Sequence, residues 1–122
     1  MKLHRLARRA LMATAFAIAS VPATAADYVM SASADFTGPF ADVAPSSVSG
    51  IRAIAAWWDE TKGKELGTNV EIKVHDMRYD ASVVASTWPS ILATDKPIMH
   101  LGFGTPDLIT LMKRLPGDTV PM

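Results

Sequence analysis

The 122-residue sequence contains no cysteine. That excludes a disulfide framework, a thiolate metal site and a thiol for lipid attachment. Also missing is a glycine-rich phosphate loop followed by Lys and Ser/Thr, which removes the common nucleotide-binding readings. Gly102-Phe-Gly104 starts a dinucleotide-type fingerprint, but Asp107 stands where the third glycine belongs, so a Rossmann enzyme is not expected. No long hydrophobic run occurs either. The longest apolar-leaning stretch, Ala10 to Val21, falls short of the about 20 residues that a bilayer span needs.

That stretch has a different meaning. Lys2, Arg5, Arg8 and Arg9 give a basic start, and Ala23-Thr-Ala25 places small residues at a cleavage position. Residues 1–25 therefore read as a secretory signal rather than an anchor. Arg8-Arg9 leaves both the general and the twin-arginine export routes open. Cleavage after Ala25 leaves 97 residues with eight Lys and Arg against twelve Asp and Glu, a net charge of −4. Nucleic-acid binding is disfavoured by that balance, since it depends on clustered basic residues. The expected location is the periplasm, without a membrane anchor after cleavage.

Along residues 26–122 the hydrophobic period switches between two and 3.6. Tyr28 to Ser33 reads as a strand. A turn-rich loop from Asp35 to Asp42 follows, and Val48, Ile51, Ile54, Ala55 and Trp58 then recur at helical spacing. Ser46 or Ser47 is the expected cap, Pro45 suits the first turn, and Gly63 is the expected terminator. Val70, Ile72 and Val74 alternate with Glu71, Lys73 and His75, the clearest strand in the chain. A second helix is predicted from Ala81 to Thr94, kinked or split by Pro89. Ile98 to Leu101 is a third strand, Asp107 to Arg114 a third helix, and Val120-Pro-Met122 the start of a further strand. Alternating strands and helices predict an α/β fold with a doubly wound, Rossmann-like parallel sheet.

Parallel strands send their exit loops to one edge, where ligands bind in open α/β sheets. The rim loops here run from Phe36 to Phe40, from Asp76 to Asp80 and from Gly102 to Asp107. Phe36, Phe40, Tyr79 and Phe103 are candidate walls for a small apolar or aromatic solute. Thr37, Gly38 and Pro39 shape the first turn. Gly102, Phe103 and Gly104 offer backbone N–H groups beside the Thr105 hydroxyl at a helix start, either to hold a carboxylate or merely to make a tight turn. Trp57, Trp58 and Trp88 are expected to pack in helices. His75 and His100 could serve a nucleophile among Ser46, Ser47 and Thr105, but ordinary hydrogen-bonded histidines are the simpler reading. His75, Asp76 and Asp80 match no metal-site spacing. No cofactor is expected.

The ordered fragments Thr37-Gly-Pro-Phe-Ala-Asp42, Gly50-Ile51, Ala56-Trp-Trp-Asp-Glu60, Val70-Glu-Ile72, Asp76 with Tyr79-Asp80, Gly102 and Val120-Pro-Met122 carry a resemblance. Together they resemble the N-terminal part of the branched-chain amino-acid-type solute-binding proteins of ABC transporters, the type I periplasmic binding proteins. The resemblance implies two lobes closing on a solute that passes to a membrane permease, with no catalysis. It places ligand contacts at Phe36, Thr37, Gly38, Pro39 and Phe40 and at Phe103, Gly104 and Thr105, with Thr105 standing for a family serine. Pro106-Asp107 departs from the family pattern, so the solute can be another amino acid, an amide or an aromatic acid. Family members are about three times longer, which implies an incomplete N-terminal lobe with weak or no binding on its own. The alternatives are a ligand-sensing module of the same fold, a flavodoxin-like enzyme and an inactive truncated product.

Overall fold

A computed structural model describes residues 27–122 of the chain. The expected export signal, residues 1–25, lies outside the described residues. Among the described residues three parallel strands form the sheet, in the order β2-β1-β3. β1 is Tyr28–Ala34, β2 is Val70–Asp76 and β3 is Met99–Leu101. Met30 of the central strand stands level with Ile72 on one side and Met99 on the other. Its second half, Ser31 to Ala34, is fully buried, and small side chains there let helices approach both faces.

The two faces carry different chemistry because successive side chains alternate across a strand. On one, Ala34 packs with Ala44 and Val48 of α1 (Ala44–Trp58), joined by Val74 and Phe103. On the other, α3 (Ala81–Thr94) and α4 (Thr105–Leu111) bring together Met77, Val84, Trp88, Ile91, Leu111 and Val120. No helix among the described residues is long and apolar enough to cross a membrane.

Several boundaries differ from expectation for identifiable reasons. α1 begins earlier than Ser46 or Ser47, with Val43 in the cap position and no side-chain cap. The Ser46 hydroxyl instead donates back to the Val43 carbonyl at 2.8 Å. Gly63 does not end this helix, which passes through a π-helical turn at Asp59–Gly63 into α2 (Lys64–Leu66). The true stop is Gly67, whose φ of 69° is left-handed. Thr61 lies in the π turn and donates to the Trp57 carbonyl at 2.6 Å, a back-bond of the kind that distorts helices.

Pro89 does not split α3, which runs unbroken from Ala81 to Thr94. Proline leaves the carbonyl four residues back without its amide partner. That carbonyl belongs to Ala85, and Arg114 Nη1 reaches it at 3.4 Å. The third helix starts two residues early at Thr105 and stops at Leu111, and Leu115–Asp118 coils separately as α5. No strand forms at residues 120–122, although the His100 N–H donates to the Pro121 carbonyl at 2.9 Å along β3. Trp57 is the one tryptophan that does not pack inside: it is 60% exposed.

Candidate functional site: the carboxyl rim of the sheet

Each strand ends on, or shortly precedes, an aspartate that organises a rim loop. Asp35 follows β1 and is completely buried; its Oδ2 accepts the Phe40 N–H at 2.7 Å. Its Oδ1 has no hydrogen-bond partner among the described residues. Gly38 lies directly over that oxygen, and a Cβ added there would also stand 2.6 Å from the Arg78 carbonyl oxygen. Only glycine permits so close a crossing of the first and second loops.

Asp76 closes β2 and reaches across to the first loop. Its carboxylate accepts the Phe36 N–H at 3.0 Å, the Thr37 hydroxyl at 2.7 Å and the Arg78 N–H at 3.2 Å. Desolvation pushes the Asp76 carboxyl up, but the bonds from Thr37, Phe36 and Arg78 outweigh it, so the group titrates below its usual range. Thr37 is therefore engaged in holding the loop. Asp80 turns the second loop into α3 by accepting the Ser82 and Val83 N–H groups at 2.7 and 3.3 Å.

Between these aspartates, Arg78 and Tyr79 both take a left-handed conformation, each with φ of 53°. Two such residues in succession cost about 1–2 kcal/mol each. The strain places the Tyr79 ring edge-on to Phe40, with centroids 4.6 Å apart. It also sets Tyr79 against Gly104, where an added Cβ would meet the ring at 2.7 Å. Gly104 itself has φ of 146°, which L side chains rarely adopt. Phe103 completes the group, its ring 6.5 Å from Phe40. Aromatics from all three loops thus converge on one shelf.

Phe36 and Phe40 are 40% and 41% exposed, and Pro39, Gly104 and Thr105 are exposed beside them. The third loop differs from expectation in one respect. The Phe103 N–H is not bare, because Asp107 Oδ2 accepts it at 3.0 Å. A carboxylate arriving at this loop finds that donor already used, leaving the Thr105 hydroxyl at the surface as the more open polar group.

The remaining titratable candidates go elsewhere. His75 Nε2 lies 2.7 Å from Asp95 Oδ2, and Lys73 Nζ lies 3.4 Å from the other oxygen. Burial raises Asp95, but these partners lower it further, for a net downward shift. His75, Asp76 and Asp80 therefore serve three separate tasks and do not gather around a metal. Among the described residues no group of three His, Cys, Asp or Glu side chains is placed to hold one. His100 is completely buried and bonds to Ser31 and Ser33, His75 bonds to Asp95, and Ser46 and Ser47 are exposed on α1, so none of Ser46, Ser47 and Thr105 is hydrogen-bonded to either histidine. Asp35, Asp76 and Asp107 were not singled out as site residues from sequence. Asp35 and Asp76 shared a signal of position, an aspartate at or just beyond a strand end, whereas Asp107 stands in the first turn of α4.

No family model matches the chain, and no curated protein matches it. Solved structures do. An extracellular ligand-binding receptor from Verminephrobacter eiseniae ef01-2 superposes with a TM-score of 0.65 at 24% identity, over 77% of this chain and 26% of that one. A periplasmic binding protein type 1 from Bordetella pertussis Tohama I gives 0.62 at 18% identity, over 77% and 25%. A possible leucine/isoleucine/valine-binding protein from Rhodopirellula baltica SH 1 gives 0.62 at 21% identity, over 82% and 28%. The chain spans about a quarter of the length of each of these structures. The described residues have the fold of part of a lobe of the type I periplasmic binding proteins.

Proposed function

We propose that this chain forms one wall of a solute receptor, and that its carboxyl rim contacts a small molecule without transforming it. The observation that carries the reading is the convergence of Phe40, Tyr79 and Phe103 from three separate loops onto one exposed shelf beside Thr105. The shelf offers ring faces and a hydroxyl, which suits an amino acid or a related small carboxylate or amide with an apolar or aromatic side chain. Phe36, Thr37, Gly38 and Pro39 form its outer border, with Thr37 and Gly38 fixing the loop and Phe36 and Pro39 facing outward.

Export to the periplasm and delivery of the solute to an ABC transporter permease complete the reading. Its support is the basic, apolar, small-residue order of residues 1–25 and the fold shared with binding proteins. The burial of His100 and the pairing of His75 with Asp95 favour binding over catalysis.

One wall gives part of the contacts of a closed site. Affinity of this chain alone is therefore expected near the millimolar range, about −4 kcal/mol. The test is a titration of the isotope-labelled chain with L-phenylalanine, L-leucine and benzoate, following backbone amide shifts. Saturable shifts confined to Phe36–Phe40, Tyr79 and Phe103–Thr105 are expected. Absence of shifts at those residues with all three probes would overturn the proposal, and micromolar binding would overturn its one-sided geometry.

A further inference from the structure

A buried polar chain links the middle of the sheet to the third rim loop. Ser31 and Ser33 of β1 and His100 of β3 share one sheet face, with Ser31 level with His100 in the strand register. Ser31 Oγ lies 2.8 Å from His100 Nδ1, and Ser33 Oγ lies 3.1 Å from Nε2. The Ser33 hydroxyl donates to Asp107 Oδ1, and Asp107 Oδ2 accepts the Phe103 N–H at 3.0 Å. All four side chains are buried, and Trp88 closes over them with its ring edge-on to His100 at 5.0 Å.

We propose that Ser33, His100 and Asp107 are positioning residues for solute contact: a directed relay that locks the Gly102–Phe103 peptide and so fixes where Thr105 is presented. This rests on the solute-shelf reading above. The direction follows from counting hydrogens. Ser33 has one hydroxyl hydrogen and gives it to Asp107, so its oxygen must accept from His100 Nε2–H. A neutral ring protonated at Nε2 has a bare Nδ1, which accepts the Ser31 hydroxyl. Every member is then satisfied, and the chain ends on a backbone amide of the loop.

Two further observations place the purpose at the loop. Gly104 beside that amide has φ of 146°, a conformation that persists only where its surroundings hold it. Apolar side chains of similar shape would fill the same volume without the desolvation cost of a buried carboxylate. Burial does raise Asp107, yet the bonds from His100, Ser33 and Phe103 bring its titration below the ordinary range. The carboxylate is thus held ionised, ready to accept both hydrogens.

Nitrogen NMR of the full chain reads the relay directly. His100 is expected as the Nε2–H tautomer, with the Phe103 amide protected from exchange. Ser33→Ala should lower protection at the Phe103 amide by about tenfold, as loss of one ordinary hydrogen bond does, while Ala32 and Val84 stay within about twofold. Ser33→Thr keeps the hydroxyl and should restore it. Asp107→Asn turns the relay round: the amide donates to Ser33, Ser33 donates to Nε2, and His100 should move to the Nδ1–H form.

An Nδ1–H ring in the unsubstituted chain overturns the proposal, and this holds even where a variant fails to fold. An equal loss of protection in strands, helices and loop overturns it as well, since that is general support of the fold. None of these readouts uses solute. Intact relay behaviour without L-phenylalanine shifts rejects only the shelf, and shifts at Thr105 with the wrong tautomer reject only the relay.

Discussion

The two faces of the sheet are finished to different degrees. Under α3 and α4, the side chains of Val84, Trp88, Ile91 and Leu111 are completely buried above the Ser31–His100–Ser33–Asp107 chain. Under α1, the fully buried residues are few and mostly small: Ala32, Ala34, Ala44 and Val48, toward the rim end. Toward the other end of the strands, Met30, Ile72, Leu101, Trp57 and Trp58 border an open apolar groove of about 350 Å³, and Ile54 beside it is 69% exposed. Alanines at the rim end let α1 sit close to β1, whereas the bulky residues farther along hold open a groove that no element among the described residues fills. Order is therefore concentrated where the contact loops leave the sheet.

The sharpest way to break this contrast is to remove the centre of the closed face. Trp88→Ala deletes a buried indole, its 2.8 Å bond to Asp118 and its contact with His100. A loss of about 3–5 kcal/mol is expected, enough to unfold a small domain of ordinary stability, as a denaturant melt would show. Acid probes the closed face together with the rim by a second route. The carboxyls of Asp76, Asp95 and Asp107 titrate lower in the folded chain than in the unfolded one. Depressed carboxyls stabilise the fold above their unfolded values near about 3.9 and lose that contribution as pH falls through the folded values. Melting temperature should hold between pH 5 and 7 on account of these groups and drop below about pH 4. Asp107→Asn should flatten that drop, whereas a change at the open groove should not alter it.

What was legible from sequence follows from how local each signal is. Period-two alternation marked Val70 to Val74, and the helical period marked the residues from Ala81 to Thr94, because both patterns are complete within a few residues. The rim was legible for the same reason, since parallel strands must deliver their exit loops to one edge. The end of α1 was misplaced because Gly63 and Gly67 both look like terminators, and only φ separates the buried one from the left-handed one. Pro89 was tolerated through Arg114, which lies 25 residues away and has no local signature. His100 was read as an ordinary hydrogen-bonded histidine, but its partners were not identified, for a related cause. Its partners Ser31 and Ser33 lie 69 and 67 residues earlier, and only the β1–β3 register brings them together.

A smaller effect tests the seam between rim and closed face. Asp80 caps α3 with two backbone bonds, and Asp80→Ala should cost about 1 kcal/mol. Because the same residue ends the strained Arg78-Tyr79 turn, Tyr79 should also loosen from Phe40, visible as greater mobility of the Tyr79 ring in NMR relaxation. A stability loss without any change at Tyr79 would separate the cap from the shelf.

The smallest effect is expected on the open face. Trp57 is as large as Trp88, so composition alone would assign the two similar weight. Trp57 is 60% exposed, however, beside a groove that the described residues leave unfilled, and little water is displaced when it folds. Trp57→Ser should change stability by no more than about 0.5 kcal/mol, measured in the same denaturant melt as Trp88→Ala. It should also reduce the fluorescence of a hydrophobic dye bound to the folded chain, because it removes apolar surface from the groove. A loss approaching that of Trp88→Ala would mean that the α1 face closes in solution, and the contrast between a finished and an unfinished face would no longer hold.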